Sequence, residues 1–282
     1  MATQNEGKLN RLESLLSEGL LVDAAWLSKQ GYSTSLRSQY VTSGWLDHPA
    51  REVYQRKAGA LNWQQAVVSL QAVLGQDLVV GGRTALELQG FAHYLSHETK
   101  EVHLYGPKRP PAWLNKLPLG VRFFYHNSQP LFHSARAPRA RDNQELSPHV
   151  SSFSNTDSLP SDLVVQPWGS AGRQLTLSSP ERAVLELLDE LPHHESFHQV
   201  DKLVEGAANL SPHRLEKLLL DCRSIKVKRL FFFFADRHKH AWLSRVNKGA
   251  IDLGKGKRML VRGGKLDATY HITVPGDLDG VQ

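Results

Sequence analysis

This 282-residue sequence predicts an α+β protein, an N-terminal winged helix-turn-helix followed by a mixed α/β domain. Three observations carry that reading. Over residues 19–57 the apolar spacing gives two short helices around a tight turn and then a strand pair. At 78–104 an apolar strand pattern runs into Gly81-Gly82, a short helical pattern and a second strand. From Ser179 onward three successive cap signals open helices of 3.6-residue apolar period. The division falls near Gly59, giving one unit over 1–59 and another over 60–282.

Residues 1–7 are polar and expected to fray, and 8–17 set Leu9, Leu12, Leu15 and Leu16 at helical spacing. Val22, Ala25 and Trp26 then lie on one face of a second helix, with Asp23 at its positive end and Gly31 closing it. Ser33, Thr34 or Ser35 caps a third helix whose inner face is Leu36, Tyr40 and Val41 and whose stop is Gly44. Ser35, Arg37, Ser38, Gln39 and Thr42 are left pointing outward. Trp45-Leu46 and Glu52-Val53-Tyr54 form a hairpin with 47–51 as its tip, and Arg51, Arg56 and Lys57 come within reach of phosphates. Short donors and acceptors with one guanidinium are the set that hydrogen-bonds base edges in a major groove. A plain three-helix subdomain with a solvated polar face is the alternative.

In the second unit, Asn62 caps a helix over 63–74, ended by Gly75. Strands follow at 78–80, 101–104, 121–126, 163–168 and 175–177, with a short helix at 84–89. Residues 134–162, rich in Ser, Pro, Arg and Asn and including Arg136, Arg139 and Arg141, read as a long surface loop, partly disordered. Ser179-Pro180-Glu181 combines cap, first-turn proline and first-turn carboxylate, and helices over 196–205 and 211–222 come next. Residues 225–246 keep a helical spacing. There Phe231 to Phe234 demand burial on nearly every side or a face turned to a partner, and a buried strand competes for the run. Residues 251–253, 258–262 and 270–274 close a sheet through glycine-rich turns.

Apolar residues at 40% and charged residues at 22% are those of a soluble globular chain. No window approaches the roughly 20 apolar residues of a membrane span, and MATQNEGK lacks the apolar core of a signal peptide, so a cytoplasmic location is expected. Cys222, the single cysteine, excludes an intrachain disulfide and a multi-cysteine zinc site, and its place at an apolar helix end points to inert burial. The net charge of +6 is unevenly spread: residues 1–60 hold seven Lys/Arg against six Asp/Glu, whereas 222–265 hold thirteen against two. A phosphate-contacting basic patch, Lys255, Lys257, Arg258, Arg262 and Lys265, crowds the C-terminal turns. A solvated basic face is the competing account. GKGKR is no Walker loop, for it lacks the spacing that wraps a phosphate.

The helix-turn-helix stretch, followed by LNWQQAVVSLQAVLGQDLVVGGRTALELQGFAHYL, LTLSSPERAVLELLDELP and VKRLFFFFADRHKHAW, resembles the AbiEi family, the antitoxins of bacterial type IV toxin-antitoxin (abortive-infection) systems. The likeness runs from about Gly19 to Pro275. It implies a winged helix that binds inverted repeats in its own promoter and represses the operon. It further implies a C-terminal domain that counters a nucleotidyltransferase toxin. The chain is read as acting without catalysis, cofactor or metal.

Residues 79–104 also look like the core of a nucleotidyltransferase, in which a glycine pair holds triphosphate and an Asp-x-Asp strand binds two metals. This chain departs from that pattern, because Glu101 and His103 stand where the aspartates would be and His103 is a poor magnesium ligand. The resemblance thus implies a catalytically dead relative of the toxin's own fold. An enzyme built around Gly81, Gly82 and Glu101 is the rival, and an ordinary strand-turn-helix the bland reading. His194-Glu195-Ser196-Phe197-His198 matches HExxH, with Glu216 eighteen residues on. Zinc chemistry needs both histidines on one helical turn, and Pro192 puts the first at a helix start or in its loop.

Overall fold

A computed structural model describes residues 2–57, 59–91, 99–133, 161–169 and 172–278. Helix α1 (Ala2–Leu15) begins earlier than the expected frayed end. Strand β1 (Leu21–Asp23) then leads into α2 (Ala24–Lys29), α3 (Thr34–Thr42) and the hairpin β2 (Leu46–Ala50) and β3 (Val53–Arg56). Val22 is therefore a strand residue, paired with Tyr54, and no part of the second helix. β1 is three residues long, and its partner β3 lies thirty residues on, so local periodicity carries no trace of it. Asp23 caps α2 by accepting the Trp26 amide at 2.8 Å, and Leu27, in place of Ala25, fills the core. The three strands order as β1-β3-β2, and the hairpin turns at Arg51-Glu52, so the wing tip is shorter than 47–51.

Helix α4 (Trp63–Val68), opened by an Asn62/Gln65 capping box, continues as a π-helical turn over Ser69–Val73. Ser69 donates its hydroxyl to the Gln65 carbonyl at 2.6 Å and accepts the Leu21 amide at 2.8 Å, tying the winged unit to this helix. After β4 (Val79–Val80) and α5 (Gly82–Leu88) come β5 (Glu101–Gly106), β6 (Arg122–Asn127), β7 (Leu163–Trp168) and β8 (Arg173–Ser178). These build a mixed five-stranded sheet of order β6-β5-β4-β8-β7. Its period-2 alternation sends Val80, Val102, Leu104 and Leu177 into one core with Leu12, Leu27, Tyr40 and Leu46. That core runs through the expected boundary at residue 59. The other sheet face carries His103 and Tyr105 toward α5 and α6 (Pro180–Asp189).

Helices α6, α7 (Phe197–Glu205), α8 (Pro212–Asp221) and α9 (Ile225–His238) form the second core. Four serines, Ser179, Ser196, Ser211 and Ser224, cap them. Helix α9 stops at Lys239, whose left-handed backbone ends it well before 246. Phe231, Phe232 and Phe234 are buried in the chain's own core, and the run is helical. The face-to-partner alternative fails for these three rings. Cys222 is buried, and burial raises its thiol to about 11. Downstream, among the described residues, only β9 (Lys265–Asp267) and β10 (Ile272–Val274) pair; 251–253 form no strand, and Arg258 makes a single bridge to Ile272. Most of the 134–162 stretch, with Arg136, Arg139 and Arg141, lies outside the described residues.

Candidate nucleic-acid interface

Ser33 caps α3, its hydroxyl accepting the Leu36 amide at 3.3 Å. Leu36 and Tyr40 are buried beneath the helix, and Tyr32 anchors its entry by donating its hydroxyl to the Lys8 carbonyl at 2.9 Å. Ser33, Thr34, Ser35, Ser38, Gln39 and Thr42 are exposed. Four of them, Ser35, Ser38, Gln39 and Thr42, follow i, i+3, i+4, i+7 and so form one stripe.

Arg37 departs from expectation. It is 7% exposed and turned back on α2. One terminal nitrogen donates to the Ala24 carbonyl at 2.6 Å and to the Ser28 hydroxyl at 3.3 Å, and the other to the Thr34 hydroxyl at 2.7 Å. The guanidinium also lies 5.7 Å from the Tyr54 ring centre. Arg37 thus welds the two helices and the wing, and does not project outward. The physical reason is positional: Arg37 follows Leu36 on the edge of the buried face, where the Ala24 carbonyl and the Ser28 hydroxyl lie within reach of its terminal nitrogens. Arg56 is likewise occupied. It donates to the Glu13 and Leu16 carbonyls at 3.2 Å and pairs with Glu13 and Glu18, closing the end of α1. Arg51 at the hairpin tip and Lys57 remain exposed. Trp45, just past α3, is 48% exposed and lies outside the hairpin, whose first strand begins at Leu46.

Lys255, Lys257, Arg258 and Arg262 are exposed in the turns and Lys265 is exposed at the start of β9, and Arg229 holds the turn over 253–256 from beneath. Arg229, buried, donates to the carbonyls of Leu253 and Gly256 at 2.6 and 2.7 Å. The flanking acids are engaged locally, Asp252 accepting the Gly254 amide and Asp267 the Tyr270 amide.

The glycine turn is filled from within. Gly82, at φ +51°, donates its amide to Glu186 at 3.0 Å, and a Cβ on Gly81 would meet that carboxylate at 2.2 Å. Glu186, fully buried on α6, also accepts Arg182 at 2.8 Å and Ser178 at 3.0 Å. The chain's own carboxylate takes the position a bound anion would use. On β5, Glu101 pairs with Arg83 at 2.5 Å, and His103 meets His126 at 2.9 Å. His126 in turn meets Glu190 at 2.7 Å. Arg83 also pairs with Glu195 at 3.1 Å. Arg83, His126, Glu186 and Glu190 were not singled out from sequence. Arg182 and Glu186, a charged i, i+4 pair inside an apolar helix, were the visible signal.

Burial, then His126, Arg83 and His194, hold the His103 pKa down at about 3. Burial lifts the Glu195 carboxyl from 4.5 to about 7, against the pull of Arg83. The signs oppose. His103 contributes stability above 6.5 that is lost as pH falls toward 3, whereas Glu195 contributes stability below 4.5 that is lost as pH rises through 7. Glu195→Gln removes the second effect. Its stability relative to the parent, from urea unfolding, should climb between pH 4.5 and 7 at up to about 1.4 kcal/mol per pH unit. A pH-independent difference would contradict the assignment.

The HExxH residues do not assemble. Ser196 caps α7, so His194 precedes the helix, while His198 lies 3.7 Å from Asp277 and Glu216 accepts the Asn247 amide at 3.3 Å. Among the described residues no group of three His, Cys, Asp or Glu is arranged to hold a metal ion. Nor is any helix among them long and apolar enough to cross a membrane.

Two family models match the sequence. One, described as "Transcriptional regulator, AbiEi antitoxin N-terminal domain", covers residues 5–97. The other, "Transcriptional regulator, AbiEi antitoxin, Type IV TA system", covers 99–275. No curated protein matches. The fold is similar to the crystal structure of RV2827C protein from Mycobacterium tuberculosis, with a TM-score of 0.52 and 12% identity over 90% of this chain and 85% of that one.

Proposed function

The chain belongs to the AbiEi antitoxin family of type IV toxin-antitoxin transcriptional regulators, and from that premise we propose that it represses its own operon by binding promoter DNA at inverted repeats. The exposed polar stripe on α3 carries this reading, a row of short donors and acceptors on a helix whose opposite face is locked in the core. Ser33, Thr34, Ser35, Ser38, Gln39 and Thr42 supply groove and backbone contacts. Arg51 at the hairpin tip and Lys57 supply phosphate contacts, and the basic C-terminal turns add phosphate attraction. Arg37 and Arg56 act beneath, by fixing α3 and α1. The C-terminal domain counters a nucleotidyltransferase toxin in the cytoplasm, without catalysis. The Glu186 carboxylate seated on the Gly82 amide speaks against a nucleotide triphosphate there.

Salt titrations of the full chain on the DNA upstream of its gene test the phosphate contacts. Arg51→Ala and Lys57→Ala should each lower the slope of log K against log salt by about 1 and weaken binding evenly across sequences. Slopes equal to the parent's would remove both residues from the interface.

A further inference from the structure

Where the chain turns from α2 into α3 lies a cavity of about 430 Å³, lined by Ser28, Gly31, Tyr32, Ser33, Thr34 and Arg37. No acidic side chain is among the six. Arg37 is 7% exposed, and its terminal nitrogens reach only neutral oxygens, those of Ala24, Ser28 and Thr34. Its Nε has no hydrogen-bond partner, and among the described residues no carboxylate pairs with the guanidinium. A buried charge without a counterion is costly, so this cavity favours an anion.

Helix α3, nine residues long, begins at the same place. The Leu36 amide is taken by the Ser33 hydroxyl at 3.3 Å. The amides of Thr34 and Ser35 have no acceptor among the described residues, since a helix supplies none to its own first turn. Two free amides and the positive end of the helix dipole thus favour the same anion as Arg37.

We infer that this cavity is a phosphate seat. The amides of Thr34 and Ser35 donate to the phosphate oxygens, and Arg37 supplies from beneath the charge that no carboxylate neutralises. The phosphate is carried either by the backbone of bound DNA or by a free phosphorylated molecule; only the first form rests on the DNA-binding reading above. In that form the seat fixes the register of α3 on the duplex.

Amide resonances of the full-length protein, followed through a titration with inorganic phosphate against chloride at equal ionic strength, decide this. Thr34 and Ser35 should shift saturably with phosphate alone. Thr34→Pro deletes one amide and keeps the helix, because proline suits the first helical position, as in Ser179-Pro180 and Ser211-Pro212 of this chain. Ser33, at ψ 161°, already has the extended backbone that precedes a proline. Read on Ser35, phosphate should bind about tenfold more weakly to Thr34→Pro than to Thr34→Ala, which loses the same hydroxyl but retains the amide. Ser28→Asp sets a carboxylate beside the guanidinium and should abolish the shift.

An upstream duplex with its phosphates replaced singly by neutral methylphosphonates separates the sources. A backbone source gives one position per half-site where replacement weakens the parent about tenfold and Thr34→Pro clearly less. A free source gives the saturable shift with no such position. Neither shift nor position, or a phosphate response that Thr34→Pro and Ser28→Asp both leave intact, would overturn the seat. A gel shift on the unmodified duplex reads DNA binding independently of that outcome.

Discussion

Glu186→Ala should cost about 3–5 kcal/mol of stability. Glu186 is fully buried and receives three donors, from Arg182, Ser178 and the Gly82 amide. Burial raises its pKa above the ordinary carboxylate value, and Arg182, Gly82 and Ser178 offset only part of that rise. Truncation leaves the buried Arg182 with only the Asp162 carboxylate at 2.7 Å and strips the glycine turn of its acceptor. Glu186→Gln, which keeps the shape and one acceptor, should lose clearly less. Urea unfolding of both variants reads the effect. A loss below about 1 kcal/mol for Glu186→Ala would mean that the carboxylate is not what holds the turn closed.

Arg37→Ala should destabilise the fold by about 1–3 kcal/mol, with DNA affinity falling for specific and unrelated duplexes alike. Helical spacing places Arg37 on the outward face among the groups that hydrogen-bond base edges, where its loss would cost binding and specificity rather than stability. The buried geometry replaces that expectation, because a side chain that hydrogen-bonds Ala24, Ser28 and Thr34 orders the helix rather than touching a base. Arg37→Lys separates the two accounts. A lysine keeps the charge but not the planar fork, so it rescues a phosphate contact and fails to rescue the weld between α2 and α3. Thermal unfolding of the alanine variant matching the parent, or relaxed base preference in an undamaged fold, would return Arg37 to the interface.

Much of the architecture was legible in the sequence because its signals are local. Ser179-Pro180, Ser196 and Ser211-Pro212 cap three helices, and the strands of the five-stranded sheet fall where apolar runs meet turn residues. What was missed depends on distant partners. β1 exists through pairing with β3, so Val22 reads equally well as a helix residue. Helix α9 ends at Lys239 through a left-handed residue that apolar spacing does not announce. The C-terminal turns are held by Arg229 rather than by strand pairing, so alternating apolar residues there overstate the sheet.

The candidate site divides the same way. The exposed stripe of α3 follows from helical period, and Ser35, Ser38, Gln39 and Thr42 lie where that period puts them. Whether an arginine projects or folds back depends on which carbonyls and hydroxyls packing brings within its reach, which only the packed structure reveals. Arg37 on Ala24 and Arg56 on Glu13 and Leu16 are two instances. The Gly81-Gly82 turn was recognisable, but the carboxylate that fills it comes from a helix more than a hundred residues later.

If α3 reads DNA as proposed, a gel-shift titration of the full chain at physiological salt, on the duplex immediately upstream of its own gene and on a shuffled duplex of equal length and composition, will show at least about a thousandfold tighter binding to the upstream duplex. Equal affinity for the two duplexes would contradict it.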